Sequence, residues 1–249
     1  GPHDVGRHFP GVDRVSSVAD LETSVKLPTW ITFDCYDTLV EFPIDSVTRE
    51  ILGSRAENVD IEAFLTSFEA LRFQTTTFGP YRPYRTVLRE TLAETMREYG
   101  LPYQDSEGDA LLAAIPTWGP YPDVPPALER LRQHCKLAII TNSDDDIMAR
   151  NVTNIGVPID RVITAEQAGA YKPSPVIFDY ALRALGCEPD ELLHVAQGFE
   201  YDIVPAHSLG WRRVWINRYG KRGDPAYGPY DELPDLAELP ALLDIATSS

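Results

Sequence analysis

Asp34 closes an apolar run, Thr29-Trp30-Ile31-Thr32-Phe33, and opens the stretch Asp34-Cys35-Tyr36-Asp37-Thr38. A carboxylate at the carboxyl end of a buried strand is well placed for chemistry, because open α/β sheets bind ligands there. Three further stations follow apolar runs in the same way: Thr141-Asn142-Ser143, Lys172 after the loop Ala168-Gly169-Ala170-Tyr171, and Gln197 to Asp202. Each has an ordinary structural reading. A strand-end Asp often caps a helix, a Thr-Asn-Ser run is turn chemistry, and a Lys before Pro is a solvated loop residue. Together they suggest a site. Asp34 is a nucleophile able to form an ester, and Lys172 is a cation that keeps it ionised. Thr141 and Asn142 are donors to oxyanions. Asp202 is a second acid that orients Lys172 or deprotonates water. Cys35 is a rival nucleophile, but strand alternation turns it away from the face that presents Asp34.

The elements that must position these residues recur along the chain. Short β-rich runs stand at Trp30–Phe33, Leu137–Ile140, Arg161–Thr164, Leu192–Val195 and Val214–Ile216. Helical patterns lie between the later ones, at Val124–His134, Pro175–Leu185 and Ile203–Leu209, the last stopped by Gly210. Strand alternating with helix predicts a parallel, doubly wound sheet with a Rossmann-like core. That topology brings all four stations to one edge.

Residues 45–118 read differently. They are mostly helical, with Ile61–Arg72 and Tyr84–Tyr99 as the clearest pieces and a Gly/Pro turn between them. The segment far exceeds an ordinary crossover. It predicts a helical cap domain inserted after the first strand, with 26–44 and 119–249 forming the core. Residues 1–25 are polar, contain Pro and Gly, and read as a flexible arm or tag.

Composition narrows the class. The chain has 249 residues, 43% hydrophobic and 24% charged, as expected of a globular protein. A formal charge of −16 argues against a nucleic-acid partner. It also means that an anionic substrate must be held by locally placed donors. Cys35, Cys135 and Cys187 suggest neither a disulfide framework nor a zinc site. No apolar run reaches the roughly 18 residues of a membrane span. The N-terminus lacks the apolar region of a signal peptide, so cytoplasm is the expected location.

The motifs Asp34-Cys35-Tyr36-Asp37-Thr38, Thr141-Asn142, Lys172-Pro173 and Gln197-Gly198-Phe199-Glu200-Tyr201-Asp202 resemble those of the haloacid dehalogenase superfamily. The resemblance covers about Trp30 to Arg218. Phosphatases of the superfamily carry Asp two positions after the nucleophile and another Asp near the fourth strand end, as general acid and magnesium ligand. Here those positions are Tyr36 and Gln197. Magnesium prefers carboxylate oxygens, so the pattern is more similar to the L-2-haloacid dehalogenase branch, which works without metal or cofactor. Val214-Trp215-Ile216-Asn217-Arg218 fits that branch.

The resemblance implies that Asp34 attacks the carbon bearing the leaving group of a small carboxylate substrate. Water then hydrolyses the aspartyl ester with help from Asp202 and Lys172, giving a 2-hydroxy acid and halide. Tyr36, Thr38, Thr141 and Asn142 would bind substrate. A cap arginine would receive the halide: Arg72, Arg82 and Arg85 are candidates, with Arg72 preferred for its place on the first long cap helix. Chloroacetate, fluoroacetate or 2-chloropropionate are the expected substrates, and a homodimer is expected by analogy. There are departures from the family pattern. Asp37 stands where the family commonly has Gly, and is read as a turn residue pointing away from the site. Residues 197–201 differ from the Ser-Ser-Asn-x-Trp pattern of the well-known dehalogenases. The competing readings are ring opening of an azetidine-2-carboxylate type of substrate, a magnesium-dependent phosphatase, and a non-catalytic binding protein.

Overall fold

The computed structural model describes residues 26–246. Six strands form one sheet: β1 (Trp30–Phe33), β2 (Lys136–Thr141), β3 (Arg161–Thr164), β4 (Leu192–Ala196), β5 (Arg212–Ile216) and β6 (Asp231–Leu233). All five pairings are parallel, in the order β3-β2-β1-β4-β5-β6. β1 is buried at every position and lies between β2 and β4. The strand order reverses at β1, so the crevice at the carboxyl ends of β1 and β4 is the topological switch point where such sheets bind ligands.

After β1 the chain runs first through α1 (Ile44–Leu52), α2 (Ile61–Phe78), α3 (Tyr84–Glu98) and α4 (Asp105–Ala114). Asp60 caps α2 by accepting from the Ala63 N–H. α2 runs six residues beyond the Arg72 expected from sequence, carrying Phe73 and Thr76 toward the sheet. The later helices are α5 (Val124–Leu131), α6 (Asp145–Ile155), α7 (Ala165–Ala168), α8 (Pro175–Leu185), α9 (Val204–Ser208) and α10 (Leu239–Leu242). α8 has the bounds its pattern predicts. Ser174 accepts from the Val176 N–H at its start, and Gly186 ends it in the left-handed conformation at φ 63°.

Further elements depart from the sequence expectation. α5 stops at Leu131 rather than His134, because the N–H groups of His134 and Cys135 both turn back to the Leu131 carbonyl and hand the chain to β2. The helix expected over Ile203–Leu209 is preceded by a π-turn, Phe199–Ile203, which brings Asp202 inward. β6 has no apolar alternation (Asp231, Glu232, Leu233) and is recruited by pairing with β5 alone. The arm read at residues 1–25 lies outside the described residues. Among those described, no helix is long and apolar enough to cross a membrane.

Candidate active site

The strand ends deliver three charged groups to one point. Asp34 follows β1, and its N–H extends the ladder to the Val195 carbonyl at 3.1 Å. Lys172 lies in the loop between α7 and α8, and Asp202 in the π-turn after β4. The Lys172 ammonium donates to Asp34 Oδ1 at 3.0 Å, to Asp202 Oδ1 at 2.8 Å and to the Ile140 carbonyl at 2.8 Å. Three donors meet three acceptors, so a buried cation is fully satisfied. Lys172 and Asp202 are each 1% exposed, whereas the Asp34 side chain keeps 14%.

The electrostatics are unequal. Burial pulls Lys172 down, but the carboxylates of Asp202 and Asp34 outweigh it and push the ammonium up to about 12. Burial also works on both acids. At Asp202 it is outweighed by Lys172 and His194, which hold the carboxyl below its ordinary value. At Asp34 burial prevails over Lys172, and the Asp202 charge adds to it, so the carboxyl lies above its ordinary value. One cation thus serves two acids and favours Asp202, leaving Asp34 the more basic and more accessible carboxylate.

Thr38 takes a different place from the one expected. It is fully buried; its hydroxyl donates to Asp34 Oδ2 at 2.8 Å and accepts from the Gln197 N–H at 2.8 Å. Its single donor is directed at Asp34, so in this structure the hydroxyl fixes that carboxylate. Asn142 is also engaged. Its side chain donates to the Lys172 carbonyl at 3.0 Å and accepts from the Lys172 N–H at 2.8 Å, so it splints the lysine loop to β2. The Thr141 hydroxyl is buried at the end of β2 with no protein partner among the described residues.

Tyr36 donates its hydroxyl to Asn151 Oδ1 at 2.9 Å, and its ring lies 5.0 Å from Phe42 and 6.4 Å from Trp118. Asn151 in turn donates to the carbonyls of Ile115 and Trp118. Phe42 precedes the helical segment and Trp118 follows it, so Tyr36 ties both of its connections. Asp37 adopts φ 63°, and its carboxylate accepts from Tyr121 and Tyr219 at 2.9 and 2.7 Å. It faces these phenols rather than Lys172, as a turn residue. Cys35 is fully buried, and burial followed by the Asp34 charge pushes its thiol well up, which keeps it unreactive.

The three candidate arginines separate clearly. Arg82 pairs with Glu90, and Arg85 pairs with Asp144 and Asp146. Arg72, on α2, is 9% exposed, and one terminal guanidinium nitrogen, Nη1, has no partner. Its guanidinium carbon lies 4.2 Å from the Phe68 ring centroid. Burial lowers its pKa, with Tyr84, Glu69 and Tyr201 acting the other way. Tyr84 is buried, and burial pushes its phenol above its ordinary value, with the Arg72 charge acting the other way. Helices α2 and α3 meet the core here: Asp144 accepts the Tyr84 and Arg85 N–H groups, and Phe73 packs on Tyr201 with centroids 5.0 Å apart.

The donor set does not fit magnesium. The phenol of Tyr36 is turned to Asn151, residue 197 is an amide, and the inner oxygens of both acids are committed to an ammonium. A hard dication needs more carboxylate charge than this. Sequence reasoning missed His194, which donates from Nε2 to Asp202 Oδ1 at 2.8 Å, and Thr32 beyond it. Its signal was one polar residue inside the buried run of β4.

A parallel sheet with an acid nucleophile candidate, a lysine and a second acid at its switch point defines a Rossmann-like hydrolase. A model of the haloacid dehalogenase-like hydrolases matches residues 28–210, and the chain belongs to that family. It is 27% identical over 217 residues to (S)-2-haloacid dehalogenase 4A of Burkholderia cepacia, covering 85% of this chain and 93% of that protein. It is 30% identical over 165 residues to a phosphoserine phosphatase of Thermus thermophilus, covering 65% and 64%. The fold is shared with an L-2-haloacid dehalogenase of Xanthobacter autotrophicus bearing covalently bound chloropropionic acid. That match has TM-score 0.74 and 23% identity, and covers 88% of this chain and 99% of the other.

Proposed function

We propose that this protein is a metal-independent 2-haloacid dehalogenase acting on small 2-haloalkanoates such as chloroacetate, fluoroacetate or 2-chloropropionate. The observation that carries the reading is the Lys172 ammonium bridging Asp34 and Asp202, with Tyr36 and Gln197 where phosphatases of the family carry acids. Residues 45–118 act as a cap over the core, bringing Arg72 to the leaving group.

In the first step the Asp34 carboxylate attacks the halogen-bearing carbon, the carbon–halogen bond breaks, and an ester forms. Arg72 receives the halide with its free nitrogen. Thr141 donates to an oxygen of the substrate carboxylate or the ester. In the second step water attacks the ester carbonyl carbon of Asp34, and Asp202 takes its proton. The bond from that carbon to the substrate oxygen breaks, that oxygen takes the proton from Asp202, and a 2-hydroxy acid leaves with both carboxylates regenerated. The unpaired guanidinium favours an anionic leaving group over the ring nitrogen of an azetidine. The phosphatase relative keeps phosphate chemistry as the rival reading, against which Tyr36 and Gln197 weigh.

Halide release from chloroacetate, L-2-chloropropionate and fluoroacetate in EDTA tests the proposal. Release from at least one is expected. No release from any, with turnover of p-nitrophenyl phosphate in magnesium, would overturn it.

A further inference from the structure

The His194 side chain is fully buried in β4 and has two polar partners. Nε2 lies 2.8 Å from Asp202 Oδ1, and Nδ1 lies 2.8 Å from Thr32 Oγ1 on β1. An ionised carboxylate only accepts, so Nε2 carries the hydrogen. In the neutral imidazole Nδ1 is then the acceptor for the Thr32 hydroxyl, whose other acceptor, the Leu193 carbonyl, is at 3.5 Å. Thr32 thereby fixes the tautomer that presents a donor to Asp202. Phe178 and Trp211 hold the ring edge-on, each with centroids 5.9 Å away.

Both donors, His194 and Lys172, reach the same oxygen of Asp202. Among the described residues no donor reaches Oδ2. Gly198 borders that oxygen: a Cβ there would stand 2.7 Å from Oδ2. A side chain at 198 would cover the one Asp202 oxygen that the protein leaves free.

We propose that His194 is a positioning residue for ester hydrolysis. It locks Asp202 Oδ1 so that Oδ2 alone is presented as the base for the hydrolytic water. The inference rests on the dehalogenase reading. Lys172 alone fixes one oxygen but leaves the carboxylate free to rotate about the Oδ1 contact, and the imidazole removes that freedom. Because Asp34 is held by Lys172 and Thr38, the first step does not require His194.

The test separates the two steps. Rapid quench with chloroacetate follows chloride release, which reports ester formation. Mass measurement of the peptide containing Asp34 reports the ester and its loss. In His194→Phe, chloride release in the first turnover stays near the wild-type rate, while ester hydrolysis slows by at least about tenfold and the ester accumulates. His194→Gln, which can restore a donor near the Nε2 position, recovers most of the hydrolysis rate. Thr32→Val shows a smaller accumulation in the same sense, and it decides the matter if His194→Phe does not fold. Hydrolysis at the wild-type rate in His194→Phe, or an equal fall of both steps, would overturn the inference while leaving the dehalogenase reading intact. Absence of chloride release and of ester in the wild-type protein would overturn both.

Discussion

Thr38 donates its hydroxyl to Asp34 Oδ2 at 2.8 Å while Lys172 holds the opposite oxygen, so the carboxylate is fixed from both sides. A nucleophile held this way loses little entropy on reaching its electrophile. Thr38→Val keeps the shape and removes the donor. It also strips the Gln197 N–H of its acceptor. The expected outcome is a fall in kcat of about tenfold with a loss of about 1–3 kcal/mol in stability. Steady-state kinetics beside a denaturant titration check both.

Asp34→Asn retains the fold and lowers halide release by at least about a thousandfold, because the amide is not a nucleophile. Circular dichroism checks the fold. A single turnover of the wild-type protein in oxygen-18 water places label in the peptide containing Asp34; an unlabelled peptide would rule out the aspartyl ester.

The acid limb of kcat/KM follows from the direction of the Asp34 shift. The reacting form is the carboxylate, and burial raises the pKa above 3.8. Activity is therefore present at high pH and is lost as pH falls through a value above that of an ordinary aspartate. Lys172 titrates near 12, so it imposes no basic limb across the neutral range. A pH–rate profile with its acid limb at or below 3.8 would contradict this reading of the site.

Arg72→Met separates function from stability. The substitution removes a buried cation with an unpartnered donor and leaves an apolar side chain of similar length beside Phe68. Stability is unchanged or rises by about 1–3 kcal/mol. Halide release falls by about a hundredfold or more. A variant with lower melting temperature and full activity would place Arg72 in the packing alone.

Lys172→Met has the opposite balance. It leaves two buried carboxylates without their cation, and a loss of about 3–5 kcal/mol is expected together with loss of turnover. Differential scanning calorimetry checks the first and halide release the second.

The sheet was legible because its strands are apolar runs closed by chemistry-bearing residues. The gathering of Asp34, Lys172 and Asp202 follows from parallel topology, since each stands just after a strand or its loop. What sequence could not carry is how donors are apportioned. Asn142 and Thr38 are residue types that bind substrates, and here Asn142 bonds the Lys172 backbone while Thr38 donates to Asp34. Only distances reveal that. His194 was hidden for a related reason: one polar residue in a buried run signals a partner but does not name it. β6 was missed because its pairing, not its composition, makes it a strand. Arg72 was preferred in the sequence for its helix alone; the ion pairs that set Arg82 and Arg85 apart from it depend on how the side chains meet.

On the proposed dehalogenase reading Tyr36 marks the branch of chemistry, and it also links the two ends of the helical segment through Asn151, Phe42 and Trp118. Those two duties constrain descent. An ancestor or engineered variant moving between carbon and phosphorus substrates would have to exchange this residue for an acid. Doing so would loosen both connections at once, because Asn151 would lose its phenol and Phe42 and Trp118 one of their aromatic neighbours. The passage between the two reactions therefore requires compensating changes at residues 115–118 or 151, so a conversion attempted at position 36 alone should yield a slack enzyme before it yields a new one.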